Sequence, residues 1–145
     1  MKLNVQENPE LEDIEVTILC PRIDSRVCRI IEVIEQGETQ IVGLSEGYLR
    51  KVPISDVLYI ESVDGNTFAY TKDSVVELKL LLAEVEESLA STEFVRASRS
   101  LLVNLMHVQG MRPYLNARLE LALSNGESVI ASRQFAPAIK KRIGL

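Results

Sequence analysis

Hydrophobic and polar positions alternate along the chain in short segments, some with the period of strands and some with the period of helices. Residues 14–20 alternate apolar and polar side chains, which predicts a half-buried strand that ends before Pro21. Apolar side chains then recur at helical spacing as far as Gly37, a residue suited to the C-terminal end of a helix. This stripe consists of Ile23, Val27, Ile30, Ile31 and Ile34. Residues 1–38 are therefore predicted to form a polar tail and a small strand–helix unit.

Residues 39–145 contain most of the strand patterns. Turn residues separate them, and Asn125-Gly126 between alternating segments is a strong hairpin signal. The strand candidates are residues 39–44, 48–52, 57–60, 67–71, 106–112, 118–123 and 128–131. An apolar stripe from Leu78 to Leu89 predicts one helix, and a short basic helix is predicted near the end, starting after Ser132 or at Pro137. The predicted fold class is α+β and rich in strands.

Composition limits the class of protein. The chain has 145 residues, 46% of them apolar, which fits one domain or one domain with a small appendage. No apolar run is long enough for a membrane span, and the first residues lack the apolar core of a secretory signal, so we expect a cytoplasmic protein. Cys20, Cys28 and His107 are too few for a disulfide scaffold or a thiolate zinc site.

Charge is distributed unevenly. Residues 1–93 carry 8 basic and 19 acidic side chains, whereas residues 94–145 carry 8 basic and 2 acidic ones, within a net charge of -5. A basic half on an acidic chain suggests an anionic partner for that half. The alternative is that the fold interleaves the two halves and neutralises the difference.

Patterns of enzyme chemistry are absent from the sequence. It contains no nucleophile elbow, phosphate loop, dinucleotide fingerprint or paired-histidine metal motif. Cys20 and Cys28 are expected to be small buried hydrophobic residues, and His107 is expected in a strand. Glu61 and Asp64 flank a turn, where solvation is favoured over a metal or acid–base pair. We therefore expect neither an enzyme nor a cofactor or metal.

Three polar loops stand between apolar segments. We call residues 64–67 the first loop, 96–100 the second loop and 132–134 the third loop. They contain Arg, Asn, Gln, Ser and Thr, which are the residue types that contact bases and phosphates in DNA. The alternative for each arginine is an exposed charge or an ion pair with the acidic half.

Three separated motifs stand out: Ile60–Thr67, Phe94–Leu105, and Asn125–Glu127 together with Ser132–Phe135. In their order and spacing they resemble the LytTR family of DNA-binding domains. The resemblance covers residues from about 40 to 145. Within the family, the chain is similar to the small stand-alone LytTR regulators. These carry a short N-terminal strand–helix unit and are often encoded beside a small membrane protein.

The resemblance implies a fold and a mode of binding. It implies an elongated strand framework and a bacterial transcriptional regulator whose loops, and not a recognition helix, contact double-stranded DNA. The loops would enter two successive major grooves and the minor groove between them, on direct repeats. Residues 39–145 are predicted to be the DNA-binding domain. Many members of the family also carry a phosphorylated receiver domain, but 38 residues are too few to form one. Residues 1–38 are therefore predicted to be a dimerisation or regulatory unit.

The resemblance also implies site residues. Arg99 is expected to contact a base, Arg133 and Gln134 a base or a phosphate, and Arg96, Ser98 and Lys140 a phosphate. The predicted DNA-contacting residues are Asn66, Thr67, Arg96, Ser98, Arg99, Ser100, Arg133, Gln134 and Lys140.

Some positions depart from the family pattern. Asn66 and Thr67 are short and neutral where relatives often have a longer basic or imidazole side chain, and Gln134 stands where a second arginine is common. Asn104 matches the family and is expected to be a buried residue that organises the turn before the next strand.

A second function fits the sequence. The acidic first half and the apolar stripe of the first predicted helix also suit a protein-interaction or ligand-sensing module with a weak DNA surface. Under the DNA-binding hypothesis the partners are double-stranded DNA, a second copy of the chain, and a small membrane protein encoded nearby.

Overall fold

The chain divides into two compact units. The computed structural model describes residues 1–36 and 40–144. One unit comprises Met1–Gly37 and the other Glu38–Leu145, and we call them the N-terminal unit and the C-terminal unit. None of the helices in the described residues is both long and apolar enough to cross a membrane.

The N-terminal unit has one regular element among its described residues, the helix α1 (Ser25–Gln36). Asp24 fixes the start of α1 because its Oδ1 atom accepts hydrogen bonds from the backbone N–H groups of Arg26 (3.0 Å) and Val27 (3.1 Å). The bond from Val27 is the largest cause that lowers the pKa of the Asp24 carboxyl group, because it favours the charged form.

The strand predicted over residues 14–20 is wrong. These residues have no regular secondary structure, and the side chains of Ile14, Val16 and Leu19 are exposed. A lone strand leaves its backbone N–H and C=O groups without partners, and the described part of the N-terminal unit offers no second strand. The strand–helix unit therefore consists of an irregular segment and a helix.

The apolar stripe of α1 is only partly covered. Ile30 and Ile31 are half-buried, whereas Ile23 and Ile34 are exposed. The expectation that Cys20 and Cys28 are buried is also wrong, since both thiols are exposed and the described residues of their unit form no sheet to cover them. The predicted helix end at Gly37 lies outside the described residues.

The C-terminal unit is rich in strands, which confirms the predicted α+β class. Its two α-helices are α2 (Leu82–Ser88) and α3 (Ala136–Ile143) within the described residues. Its strands are β1 (Gln40–Ser45), β2 (Tyr48–Pro53), β3 (Val57–Val63), β4 (Asn66–Thr71), β5 (Val75–Leu78), β6 (Phe94–Ser98), β7 (Leu101–Asn104), β8 (Val108–Tyr114), β9 (Arg118–Leu123) and β10 (Ser128–Ala131).

The strands form two antiparallel sheets. The larger sheet has the order β2-β1-β5-β4-β3-β7-β6, and the smaller sheet has the order β10-β9-β8. Tight turns connect several neighbours, and in the β3–β4 hairpin Asp64 and Gly65 both have positive φ angles of 51° and 81°. This backbone matches the twist of the flanking strands, which explains why Asp-Gly occupies the turn.

The larger sheet separates two hydrophobic cores. Strand β7 is buried on both faces because successive side chains point in opposite directions. Leu102 packs into the core that contains Val85 of α2, whereas Leu101 and Val103 pack into the core that contains Ile139 of α3. Strands β6 and β7 are therefore held from both sides, which makes the loop between them part of a rigid framework.

Several element predictions are corrected by the structure. The stripe from Leu78 to Leu89 is not one helix, because Leu78 belongs to β5 and pairs with Thr67. Strands β5, β6 and β7 were not predicted as strands. Helix α3 begins at Ala136, with Pro137 in its first turn and no side-chain cap from Ser132.

Asn104 organises the turn before β8, as expected. It is 2% exposed, its Nδ2 atom donates to the Val57 carbonyl oxygen at 2.9 Å, and its Oδ1 atom accepts from the Met106 N–H at 3.1 Å. His107 lies at the end of a short 3-10 turn and not in a strand. Its Nε2 atom donates to the Ser55 carbonyl oxygen at 2.6 Å, so this histidine links the turn to the residues just before β3.

Candidate nucleic-acid interface

The three loops emerge from the same end of the strand framework. The first loop joins β3 to β4, the second joins β6 to β7, and the third joins β10 to α3. Strand β7 lies between β3 and β6 and is antiparallel to both of them. Strands β3 and β6 therefore run in the same direction, and their C-terminal ends lie on the same side of the sheet. The topology therefore brings together loops that are about 30 residues apart in sequence.

Backbone hydrogen bonds fasten the second loop to both of its neighbours. The Ser62 N–H at the end of β3 donates to the Ser100 carbonyl oxygen at 2.8 Å. The Ser132 N–H at the start of the third loop donates to the Ala97 carbonyl oxygen of β6, also at 2.8 Å. These bonds join main-chain atoms, so they do not involve the exposed side chains of Arg99, Arg133 and Gln134.

The second and third loops line one concave surface. Arg99 and Arg133 are exposed on it, and within the part of the chain that the structure describes neither forms an ion pair. The remaining lining is polar, with hydroxyl and amide groups that can donate or accept hydrogen bonds. The surface is lined by Ser98, Arg99, Ser100, Ser132, Arg133 and Gln134.

The turn that carries Arg99 is short and internally bonded. Ser98 pairs with Leu101, which leaves Arg99 and Ser100 as a two-residue turn. The Ser98 Oγ atom accepts a hydrogen bond from the Ser100 N–H at 3.2 Å. This bond occupies the Ser98 hydroxyl oxygen in part, while the guanidinium of Arg99 remains exposed.

Arg96 is not available in the way the sequence predicted. Its side chain is 16% exposed and forms an ion pair with Glu86 of α2. Its guanidinium also donates to the Arg99 carbonyl oxygen at 2.7 Å. Three of its five guanidinium N–H groups are therefore used in internal bonds, and the mostly buried side chain is better suited to an internal role than to the phosphate contact expected from the sequence.

The first loop contributes less than expected. Thr67 is 2% exposed and sits inside the sheet between Ser62 and Leu78, so we leave it out of the candidate contacts. Asn66 is exposed at the start of β4, beside the second loop but outside the concave surface. Lys140 is exposed on α3 and is likewise not part of that surface.

Arg118 is a candidate that sequence reasoning missed. Ala131 of β10 pairs with Leu119 of β9, so the third loop starts next to Arg118. The Arg118 guanidinium lies 4.9 Å from the centre of the Tyr114 ring, and its Nε atom donates to the Leu115 carbonyl oxygen at 3.0 Å. The sequence showed only an alternating strand here, and the register of β9 with β10 was needed to place the backbone of Arg118 beside the third loop, while its guanidinium lies over Tyr114 of β8.

One further arginine of the basic half is paired internally, and no metal site is apparent among the described residues. Arg112 forms an ion pair with Glu120, which raises the pKa of the guanidinium above its usual range. Among the described residues no group of three or more His, Cys, Asp or Glu side chains is placed to hold a metal ion. The arrangement of the loops suits hydrogen bonding and charge attraction to an anionic surface.

The fold and this surface define a strand-based domain that presents polar and basic loops on one side. The family model of the LytTr DNA-binding domain matches residues 47–144. The chain belongs to the LytTR family of DNA-binding domains.

Proteins similar to this chain are regulators by name. An uncharacterized HTH-type transcriptional regulator of Staphylococcus aureus strain MRSA252 is 26% identical over 147 residues, covering 100% of this chain and 99% of that protein. A homologous protein of the same name from strain MSSA476 gives the same identity and coverage. The solved structure of a LytTr DNA-binding domain from Bacillus cereus has a TM-score of 0.70 at 28% identity, and the match covers 75% of this chain and 100% of that domain.

The description "HTH-type" does not fit the fold of this chain. In the described residues 40–144 the two α-helices are separated by strands β6 to β10, so they do not form a helix-turn-helix pair. The relatives match over the whole length of this chain, so the similarity extends to the N-terminal unit.

Proposed function

We propose that the chain is a bacterial transcriptional regulator that binds double-stranded DNA sequence-specifically through its second and third loops. The observation that carries this proposal is the convergence of Arg99, Arg133 and Gln134 on one concave surface. Membership in a family of DNA-binding domains supports it, as do the names of the relatives.

The chemistry of the loops suggests a division of roles. Arg99 extends from the tip of the β6–β7 turn and is suited to pair with guanine, while the Gln134 amide is suited to adenine. Arg133 contacts a base or a phosphate. Ser100 lies beside these residues and contacts a phosphate, and Arg118 of β9 contacts a phosphate at the margin of the surface. Such contacts fix the register of the protein on the duplex.

The weaker contacts are expected at the margins. Asn66 would contact a base edge in the adjacent groove, Lys140 would contact a phosphate, and the partly bonded Ser98 hydroxyl would support the turn or touch the backbone. The groove pattern implied by the family resemblance, two major grooves and the minor groove between them, requires contacts on both sides of the concave surface.

We also propose how the chain is arranged on DNA. Two copies would bind a direct repeat, either head-to-tail or as a flexible dimer. A small membrane protein encoded nearby and a cytoplasmic location stay predictions, which rest on the family resemblance and on the composition of the chain.

Selection of bound fragments from random-sequence DNA tests the proposal and reveals site spacing. The selected duplex should bind with a strong salt dependence, in which log affinity falls by about 0.9 per phosphate neutralised for each unit of log salt concentration. Arg99→Ala should weaken binding by about 1–3 kcal/mol and relax the sequence preference.

Arg50→Ala is a matched control for Arg99→Ala. Arg50 is exposed on β2, at the opposite edge of the larger sheet from β6, so the variant loses the same charge away from the loops. Its binding should stay close to that of the unchanged protein. The proposal is contradicted if no sequence is enriched, or if the two variants lose affinity equally.

A second candidate function is a protein-interaction module. It is favoured by the exposed apolar side chains of the N-terminal unit, among them Ile23 and Val33 of the α1 region. This function predicts that the biological output survives Arg99→Ala and is lost when a charge replaces an apolar residue of α1.

A further inference from the structure

An ion pair connects helix α2 to the backbone of the second loop. The Nε and Nη2 atoms of Arg96 donate to the two carboxylate oxygens of Glu86, each at 3.1 Å. The Nη1 atom of the same guanidinium donates to the Arg99 carbonyl oxygen at 2.7 Å. One planar group therefore joins an acid on α2 to the residue at the tip of the β6–β7 turn.

The geometry of this connection is well defined. A guanidinium presents its N–H groups in a rigid fork, so pairing both carboxylate oxygens fixes the plane of the group. Once Glu86 fixes that plane, the direction of the Nη1–H bond is fixed as well. The Arg99 carbonyl oxygen is thus held in one position, which restricts the backbone from which the Arg99 side chain extends.

The turn needs such a restraint. The strand pairing of β6 with β7 is irregular between Arg96 and Ser98, where a bulge interrupts the ladder. Arg99 itself is exposed and has no side-chain partner among the residues that the structure describes. Without the bond to its carbonyl oxygen, more of the ordering of this turn would have to occur when DNA binds.

We propose that Glu86 is a positioning residue for DNA recognition, which acts through Arg96 to hold the backbone of Arg99 in its binding geometry. This inference rests on the proposed function of the second loop. Glu86 carries a negative charge near a surface that binds an anion, so a role in binding is unexpected from charge alone.

The negative charge of Glu86 allows a test, because a purely electrostatic role and a positioning role predict opposite changes in DNA affinity when it is removed. Glu86→Gln removes a negative charge, which by simple electrostatics should strengthen binding to any DNA. The positioning role predicts the opposite for the recognised sequence, because the amide cannot accept both Arg96 bonds as a carboxylate does. We expect affinity for a duplex selected by the unchanged protein to fall about tenfold.

Glu87→Gln is the matched control. Glu87 is the next residue on α2, its side chain is exposed, and it makes no side-chain hydrogen bond within the described residues. The variant makes the same change in net charge, and we expect equal or slightly tighter binding to the selected duplex. Both variants should bind a scrambled duplex of the same length at least as tightly as the unchanged protein.

Arg96→Lys provides a second variant that keeps the net charge. A lysine ammonium group cannot bond both Glu86 oxygens and the Arg99 carbonyl oxygen in one plane. We expect it to lower affinity for the selected duplex and to leave affinity for the scrambled duplex nearly unchanged. Equal losses on both duplexes would overturn the positioning role, as would unchanged binding of Glu86→Gln to the selected duplex.

A measurement without DNA separates this inference from the proposed function. Nuclear magnetic resonance relaxation of the Arg99 and Ser100 amides should report larger backbone motion in Glu86→Gln than in Glu87→Gln, at the same unfolding temperature. If the unchanged protein selects no DNA sequence, the proposed function fails, while this measurement still tests the restraint. Equal amide motion in the two variants would overturn the inference.

Discussion

The N-terminal and C-terminal units differ in how far they bury their apolar side chains. Leu19 of the N-terminal unit is 94% exposed, whereas Leu121 of the C-terminal unit is 0% exposed. Both lie in segments where apolar and polar residues alternate. The difference is that residues near Leu121 pair with strands on both sides, while residues 14–20 have no strand partner in the described part of their unit.

The contrast explains where the candidate interface lies. A base contact requires a side chain that starts from a fixed backbone, and loops meet this requirement only on a rigid scaffold. The second loop connects two strands that are buried against both cores, and its backbone is bonded to Ser62 and Ser132. The N-terminal unit offers apolar surface but no comparable framework.

The largest expected effect comes from the core of the C-terminal unit. Leu102→Ala should lower the free energy of unfolding by about 2–5 kcal/mol, because it leaves a cavity beside α2. Ile34→Ala, in the exposed part of α1, should change it by less than about 0.5 kcal/mol. Urea unfolding of both variants checks the comparison, and equal losses would mean that α1 is as firmly packed as β7.

A smaller loss is expected from the buried amide of the turn before β8. Asn104→Ala removes the donor to the Val57 carbonyl oxygen and the acceptor for the Met106 N–H, and should cost about 1–3 kcal/mol for the groups left without partners. Asn4→Ala, an exposed position in the N-terminal unit, is the control and should be nearly neutral. Thermal unfolding measures both, and a neutral Asn104→Ala would contradict the assigned role.

A third experiment asks whether the N-terminal unit takes part in DNA binding. Ile30→Asp places a charge in the half-buried part of the α1 stripe. If the interface lies wholly in the C-terminal unit, binding to the selected duplex should change by less than about 0.5 kcal/mol. Gel-shift titration checks this, and a complete loss of binding would favour association of copies through α1.

The smallest effect concerns the start of α1. Because backbone hydrogen bonds lower the pKa of Asp24, its cap is fully formed above the pKa of an unfolded aspartate and is lost as the pH falls through the lower folded value. Circular dichroism should show less helix in Asp24→Ala at neutral pH. It should also show a loss of helix in the unchanged protein at acidic pH.

Asp24→Asn is the control for that titration. Its amide oxygen can still cap the helix but does not titrate, so the part of the acid transition due to this cap should disappear. An unchanged acid transition in Asp24→Asn would assign it to other carboxylates.

Local chemistry made part of the fold predictable. Asp64-Gly65 and Asn125-Gly126 determine their turns through their own backbone preferences, so the hairpins around them could be placed from sequence. Strand β5 was missed because Leu78 matches both the helical stripe and a strand. Only its pairing with Thr67, a residue 11 positions away, decides between them.

The candidate site was also predictable only in part. Arg99, Arg133 and Gln134 were identified from the motifs, and their exposure on one surface agrees with the roles proposed for them. The exclusion of Thr67 depends on strand pairing, and the internal role of Arg96 depends on Glu86, 10 residues away on a helix. The family resemblance assigned both Arg96 and Arg99 to DNA contacts, and no pattern in the sequence indicated that Arg96, only three residues from Arg99, pairs internally with Glu86.

The main-chain bonds from Ser62 to Ser100 and from Ser132 to Ala97 also bear on how such a regulator could be re-engineered. Because these bonds do not involve the outward side chains, we expect substitutions at Arg99, Arg133 and Gln134 to leave the scaffold intact. If these three residues contact DNA as proposed, small libraries that vary them alone should yield new sequence preferences, with no compensating changes in the strands.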